Sequence, residues 1–413
     1  MKQRIAFLLC LLAAWGLCGC ADAKQVDDTA FVLALGVEQG EGKRYDFTFS
    51  LPYLNESTEV GENAKFHAIS CQADSLYDAV DLVNANSAYE LDFTHLNFLA
   101  IDQTLAQQGV RDILEPMMRM PDVRKTALVI VAQHGAKAFL QGFETDKETN
   151  LSKLQQSIIE QADTTGLFPE CTIARLYSSI EQQRFTAAVA LGGVRPADDE
   201  KGGQESSPAA SSAPASASVS EQGFDERAGE LPMELTTQSQ VFGAALFDGE
   251  RLCTTITGEQ CRFLLMGADT FENGYFTIQD AQGQVVTLRI RRRKGRDVQV
   301  DVKTDPVQAR LTVYLDASIV SYTGGPYEEE QQVADAFTPL VQAYLEQGLA
   351  DAAALDRRYG LDAFGLGRVA VSQFATEQAW QAFDWAQRRT DMQVQTAVHV
   401  RVHPRHNNPG GGQ

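Results

Sequence analysis

Cys20 closes the run Leu17-Cys18-Gly19-Cys20, a branched apolar residue and two small ones ahead of a thiol. That spacing resembles the bacterial lipoprotein-processing signal, in which the thiol takes a diacylglyceryl group and cleavage, here after Gly19, frees an amine for a further chain. The preceding residues fit: Lys2 and Arg4 form a basic start, and Ile5 to Leu17 an apolar run too short to cross a bilayer stably. The competing reading is an ordinary secretory signal, but its Ala-x-Ala site is absent. A single acyl chain holds only marginally, at about 0.8 kcal/mol per buried CH₂, so two or three are needed for a lasting tether, as a diacylglyceryl thiol with a palmitoyl chain on the freed amine would give. Cys20 is thus the expected lipid attachment point, and the mature chain is expected on the extracytoplasmic side of a membrane.

The other candidates for chemistry are weaker. Cys71, Cys171, Cys253 and Cys261 are scattered rather than spaced like a zinc site. Cys253 and Cys261 flank a turn at Gly258 and are read either as a disulfide in an oxidising compartment or as two buried free thiols. His399 and His403 fall on one face of a terminal strand with His406 just beyond, but no further ligands stand nearby, so solvated edge histidines are expected and no metal. His67, His95 and His134 share no spacing and are expected to be structural. Gly365-x-Gly367 is too short for a dinucleotide fingerprint, and Ser178 and Ser179 lack the Gly-x-Ser-x-Gly elbow, so neither a cofactor nor an enzyme is expected. Arg289, Arg291, Arg292, Arg293, Lys294 and Arg296 crowd a hairpin expected to turn at Lys294-Gly295. They suit lipid phosphates or an acidic partner, or, as the preferred reading, act as edge charges that discourage aggregation.

The elements that must position these residues follow from composition and period. Acidic residues exceed basic ones by 55 to 35 over 413 residues, a net charge of −20, which argues against a nucleic-acid partner. No second apolar stretch approaches the length of a span. Phe31 to Val37 reads as a strand, Gly40-Glu41-Gly42 as a turn, and the alternating Tyr45, Phe47, Phe49 and Leu51 as its hairpin partner. Ser75-x-x-Asp78 caps a helix bearing Leu76, Ala79, Val80 and Val83. A strand at Leu96 to Ile101, a helix through Val110 to Met118 and a strand at Ala127 to Ala132 predict a parallel crossover. Helix follows from Leu151 to Gln183, interrupted near Gly166 and Pro169.

Gly193 to Leu231, rich in Ala, Ser, Pro and Gly, reads as a disordered linker between two blocks. The second block opens on Val241 to Phe247 and a turn at Asp248-Gly249, continues in strand-like segments to Tyr322, and then gives helices at Glu328 to Gln347 and Gln373 to Arg388 before a strand at Val394 to Val402. The fold class is α/β with α+β: mixed sheets flanked by helices in a multi-domain lipoprotein. Within the last helix, Trp380 and Trp385 are about 140° apart, so Trp380 is expected to anchor the core and Trp385 to lie near its boundary or a partner.

At this level of detail the mature chain resembles the Ger(x)C lipoproteins, the C subunits of spore germinant receptors. The first likeness is the apolar strand closing on Gly36-Val37-Glu38. The second runs from the His95-led strand through Leu105-Ala106-Gln107-Gln108-Gly109 to Arg119-Met120-Pro121-Asp122-Val123-Arg124. The third is Asp362-Ala363-Phe364-Gly365-Leu366-Gly367, followed by Trp380, Trp385 and the final strand. The family's Trp-Asp after the lipid cysteine is Ala21-Asp22 here, and its proline ahead of the first tryptophan is missing. The resemblance implies three domains on a lipid tether, a complex with polytopic A and transporter-like B subunits at the spore inner membrane, a role in nutrient-triggered germination, and no enzymatic activity. The expected division is a signal peptide at 1–19, an N-terminal α/β domain at 20–192, a linker at 193–231, a strand-rich middle domain at 232–322, a C-terminal α/β domain at 323–404 and a tail at 405–413. The alternative is a lipid-anchored extracytoplasmic solute-binding protein of a transporter, which needs two lobes joined by hinge strands, a role a single flexible linker fills poorly.

Overall fold

The computed structural model describes residues 29–52, 66–143, 151–195, 226–231, 233, 237–279, 283–323 and 330–404; the signal, Cys20, most of the expected linker and His406 lie outside them. The chain enters on β1 (Thr29–Phe31) and β2 (Ala34–Gln39), turns, and returns antiparallel as β3 (Tyr45–Pro52), beside which β4 (Phe66–Ala73) pairs antiparallel. Helix α1 (Leu76–Asn86) begins where the Ser75 hydroxyl accepts from the Asp78 amide, as its capping residues demand. The short β5 (Glu90–Asp92) pairs with β1. Next come β6 (Phe98–Asp102), α2 (Gln103–Gln108), α3 (Arg111–Arg119), β7 (Leu128–Ala132), α4 (Ala136–Gln141), α5 (Leu151–Thr165), α6 (Ile173–Gln182) and β8 (Ala187–Val194).

Strands β2, β6, β7 and β8 are parallel neighbours, the predicted crossover among them. Their side chains alternate between two cores, as a period of two requires. Leu99, Ile101, Val129 and Val131 meet α1, α3 and α6 on one face, and Phe98, Ala100 and Ile130 meet Phe139 and Leu140 of α4 on the other. With both faces covered, these strands are near-continuous apolar runs.

The sheet does not stop at the expected linker. Strand β9 (Ser239–Asp248) lies antiparallel against β8 and hairpins through Asp248-Gly249 into β10 (Arg251–Ile256), completing eight strands in the order β10-β9-β8-β7-β6-β2-β3-β4. The Ala/Ser/Pro-rich segment therefore connects two strands that are hydrogen-bonded neighbours in one sheet. Its ends also pack more than composition suggests: Gly193 and Val194 belong to β8, and Ala228 is fully buried in the first core. Strand β8 leaves an open apolar edge that β9 satisfies, a long-range pairing that composition cannot reveal.

Helix α7 (Gly258–Ala268) then leads to the second sheet, β11 (Asn273–Gln279), β12 (Val285–Asp301), β13 (Gln308–Tyr322) and, parallel to β13, the last strand β14 (Gln393–His403). Strands on both sides of residue 322 thus share one sheet. Lys294-Gly295 is not a turn: β12 runs through it as one strand, with register shifts between Arg292, Lys294 and Asp297 that bend it locally and mimic a turn in sequence. Between β13 and β14 lie α8 (Glu330–Tyr359), α9 (Gly367–Ala370), α10 (Glu377–Phe383) and α11 (Trp385–Arg388).

The expected helix from Gln373 to Arg388 is broken at Asp384, which takes φ +52° and caps α11 by accepting from the Gln387 amide at 3.3 Å. The break resets the helical phase, so the 140° offset no longer applies and Trp385 is as buried as Trp380, at 3% and 5% exposure, with ring centroids 5.8 Å apart. Trp385 is therefore core, against the expectation of an exposed ring. Cys253 and Cys261 are both free thiols: Cys253 is exposed on β10 and Cys261 buried in α7, where burial pushes its thiol up and makes it inert. No helix among the described residues is long and apolar enough to cross a membrane.

Candidate functional site

The expected signature positions gather at two places, each joining parts of the chain distant in sequence. The first lies around β2 and the ends of β6. A Cβ on Gly36 would stand 3.1 Å from Leu140 and 3.5 Å from Ala136, so the glycine lets α4 lie close on the strand. Glu38 then accepts the Lys137 amide at 2.8 Å, a carboxylate at the start of that helix. Arg124 bonds Asn97 Oδ1 at 3.2 Å and Thr126 Oγ1 at 3.1 Å, holding the loop before β7 against buried Asn97. Gly109 caps α2 at φ +137°, and the next residue, Val110, donates to the Glu250 carbonyl at 2.9 Å. Arg111 adds an ion pair to Glu250 at 3.1 Å, so this loop docks on the β9–β10 hairpin. His95 is exposed, edge-on to Phe31 at 4.5 Å, and Arg119 pairs with Glu115 at 2.7 Å on the surface of α3.

The second place is a buried polar junction between the two sheets. Asp362 is fully buried. Its Oδ1 accepts the Leu366 amide at 2.6 Å, and its Oδ2 accepts the Gly367 amide at 2.8 Å and the Trp385 indole at 3.1 Å. Its own amide donates to Thr186 Oγ1 and its carbonyl accepts from the Thr186 amide, both at 2.9 Å, which ties the loop to the residue just before β8. Gly365 takes φ +65°, and a Cβ on Gly367 would lie 2.6 Å from the Trp385 indole nitrogen and 2.7 Å from the Arg184 carbonyl. Asp-x-x-Gly-x-Gly is therefore a tight loop wrapped around its own carboxylate.

Behind it, Asp356 on α8 accepts the Ala363 and Phe364 amides at 2.9 and 3.3 Å. Burial first, and then the neighbouring Asp362 carboxylate, push the Asp356 carboxyl up to about 8, against the two amides and Arg389. Burial also raises Asp362, opposed by its amides and the indole. Arg389, nearly inaccessible, reaches from the end of α11 to Asp248 at the end of β9. A cleft of about 260 Å³ opens beside the junction, lined by Phe168, Arg175, Thr186, Leu264, Arg292 and Ala363.

The chemistry of this arrangement is architectural. Asp362, Asp356 and Thr186 each hold backbone amides, while the Trp385 indole and Arg389 bond the carboxylates of Asp362 and Asp248. Among the described residues no group of three or more His, Cys, Asp or Glu is placed to hold a metal, and His399 stacks on Tyr314 while His403 lies 3.6 Å from Asp316. Thr186 and Arg389 carry no local signal because their partners lie 176 and 141 residues away, and Asp356 carries none because the loop it holds forms only in the fold.

Two family profiles match the chain: the spore germination protein N-terminal domain over residues 22–191, and the spore germination B3/GerAC-like C-terminal domain over residues 242–404. Spore germination protein KC of Bacillus subtilis (strain 168) is 25% identical over 147 residues, 33% of this chain and 35% of that protein, so the match spans about a third of the relative. The crystal structure of the GerBC protein superposes with a TM-score of 0.50 at 11% identity, covering 89% of this chain and 96% of that one. The shared fold is mixed α/β in more than one domain.

Proposed function

This chain belongs to the GerAC family of spore germination proteins, and from that membership we propose that it is the lipid-tethered C subunit of a germinant receptor, acting in nutrient-triggered germination. The observation that carries the reading is the match of both family domains in order along the chain, at 22–191 and 242–404. The subunit works as a binding and assembly component, not an enzyme. It is held by acyl chains on Cys20 at the outer side of the spore inner membrane and assembles there with polytopic A and B subunits. The buried junction supports this reading, since it invests its polar groups in fixing the two sheets as a platform.

The test is made in a spore former that carries the gene. Deletion is expected to abolish the nutrient response while leaving spore yield unchanged, and an affinity-tagged chain should co-purify the A and B subunits from detergent-solubilised membranes. Cys20→Ala should abolish acyl labelling and release the chain from membranes. Isolation with transporter permeases, or an intact nutrient response in the deletion, would sink the proposal.

A further inference from the structure

One face of the second sheet packs against α8 through Leu311, Val313 and Leu315 of β13, while the alternate residues point the other way. Register places those outward residues in rows. Arg291, Asp316 and Arg401 lie side by side across β12, β13 and β14, and in adjacent rows Arg289 stands beside Ser318 and His403, and Lys294 beside Tyr314 and His399. Arg293 and Lys294 lie over the Tyr314 ring at 5.3 and 3.7 Å, which puts both on the same side. Arg310 continues the face on β13 opposite Gln299.

This face gathers six cations, Arg289, Arg291, Arg293, Lys294, Arg310 and Arg401, against the carboxylates of Asp297, Asp301 and Asp316, on a chain whose net charge is −20. Arg291, Arg310 and Arg401 are exposed and make no ion pair among the described residues. Edge protection does not account for Arg291 and Arg310, which stand on the two inner strands, β12 and β13, with paired neighbours on either side.

We propose that this sheet face is a docking surface for an anionic phospholipid bilayer. The charge is spread over three strands, and none of the cavities of about 220, 260 and 250 Å³ is lined by the six cations. Five guanidinium groups and one ammonium spread across three strands suit a partner that offers negative charge everywhere, as a headgroup surface does, rather than one acidic peptide in one register. The remainder of the chain is repelled by such a surface, so the face also sets orientation. The inference concerns the isolated chain and stands apart from the receptor assignment.

The test uses residues 20–413 carrying Cys20→Ala, which retains every described residue, with vesicles of phosphatidylcholine alone or mixed with phosphatidylglycerol. Binding is expected only to the mixed vesicles and to weaken with salt. R291Q/R401Q should weaken it about thirtyfold, since each cation near such a surface is worth about fivefold, while R357Q/R358Q on the exposed end of α8 should leave it unchanged, with circular dichroism confirming both folds. Absence of binding to mixed vesicles, or equal loss in both double variants, overturns the proposal. If binding is absent and R291Q/R401Q instead loses co-purifying subunits, the face belongs to an acidic protein partner.

Discussion

Trp385 donates its indole N–H to Asp362 Oδ2 across 3.1 Å, and through Thr186 the same aspartate holds the start of β8. Trp385→Phe keeps most of the ring and removes the donor, so it is expected to cost about 1–3 kcal/mol. Trp385→Ala and Trp380→Ala should each cost roughly 3–5 kcal/mol, because both rings are buried in one aromatic cluster. Thermal unfolding of the three variants decides it; a Trp385→Ala protein as stable as the unsubstituted chain would contradict the junction.

Gln342 on α8 bonds the edge of β14, donating to the Val398 carbonyl and accepting from the Val400 amide at 3.4 Å. A side-chain amide thereby takes the place of a neighbouring strand on an edge open to pairing. Gln342→Ala is expected to lose about 1 kcal/mol and to self-associate more readily at high concentration. Unchanged size-exclusion profiles and melting would show that the edge needs no such cover.

Deleting Gly202 to Gly223 shortens the connection between β8 and β9 without touching a described residue. Loop closure depends only logarithmically on length, at about 0.6 kcal/mol per doubling, so stability should change by less than about 1 kcal/mol. A large drop in melting temperature would mean that the segment packs.

Local signals in the sequence were reliable where the interaction itself is local. Ser75 caps α1 and Asp248-Gly249 turns the β9–β10 hairpin as their residue types require. What failed depended on distant partners or on a change of phase. Strand β9 joins β8 across 44 intervening residues at the gap from Val194 to Ser239, the bulges at Arg292 to Asp297 let β12 pass through an apparent turn, and the left-handed Asp384 swings Trp385 inward. The Asp362 loop was visible as a motif, but its meaning was not, because Thr186, Asp356 and Arg389 meet it only in the folded chain.

Asp356 should make stability depend on pH with an unusual sign. Its folded carboxyl is pushed up to about 8 by burial and by Asp362, while in the unfolded chain it titrates near the ordinary 3.8. The folded state therefore holds the proton more tightly. This group's contribution is complete below about pH 4, is lost as the pH rises from there to about 8, and changes no further above that. Asp356→Asn keeps an oxygen to accept the Ala363 and Phe364 amides but cannot ionise. Its melting temperature should fall less than that of the unsubstituted chain between pH 5 and pH 8, bracketed by the two titrations. The readout is the difference between the two proteins, since repulsion within so acidic a chain contributes to both. Parallel pH profiles would show that Asp356 stays ionised in the fold and that Arg389 outweighs its burial.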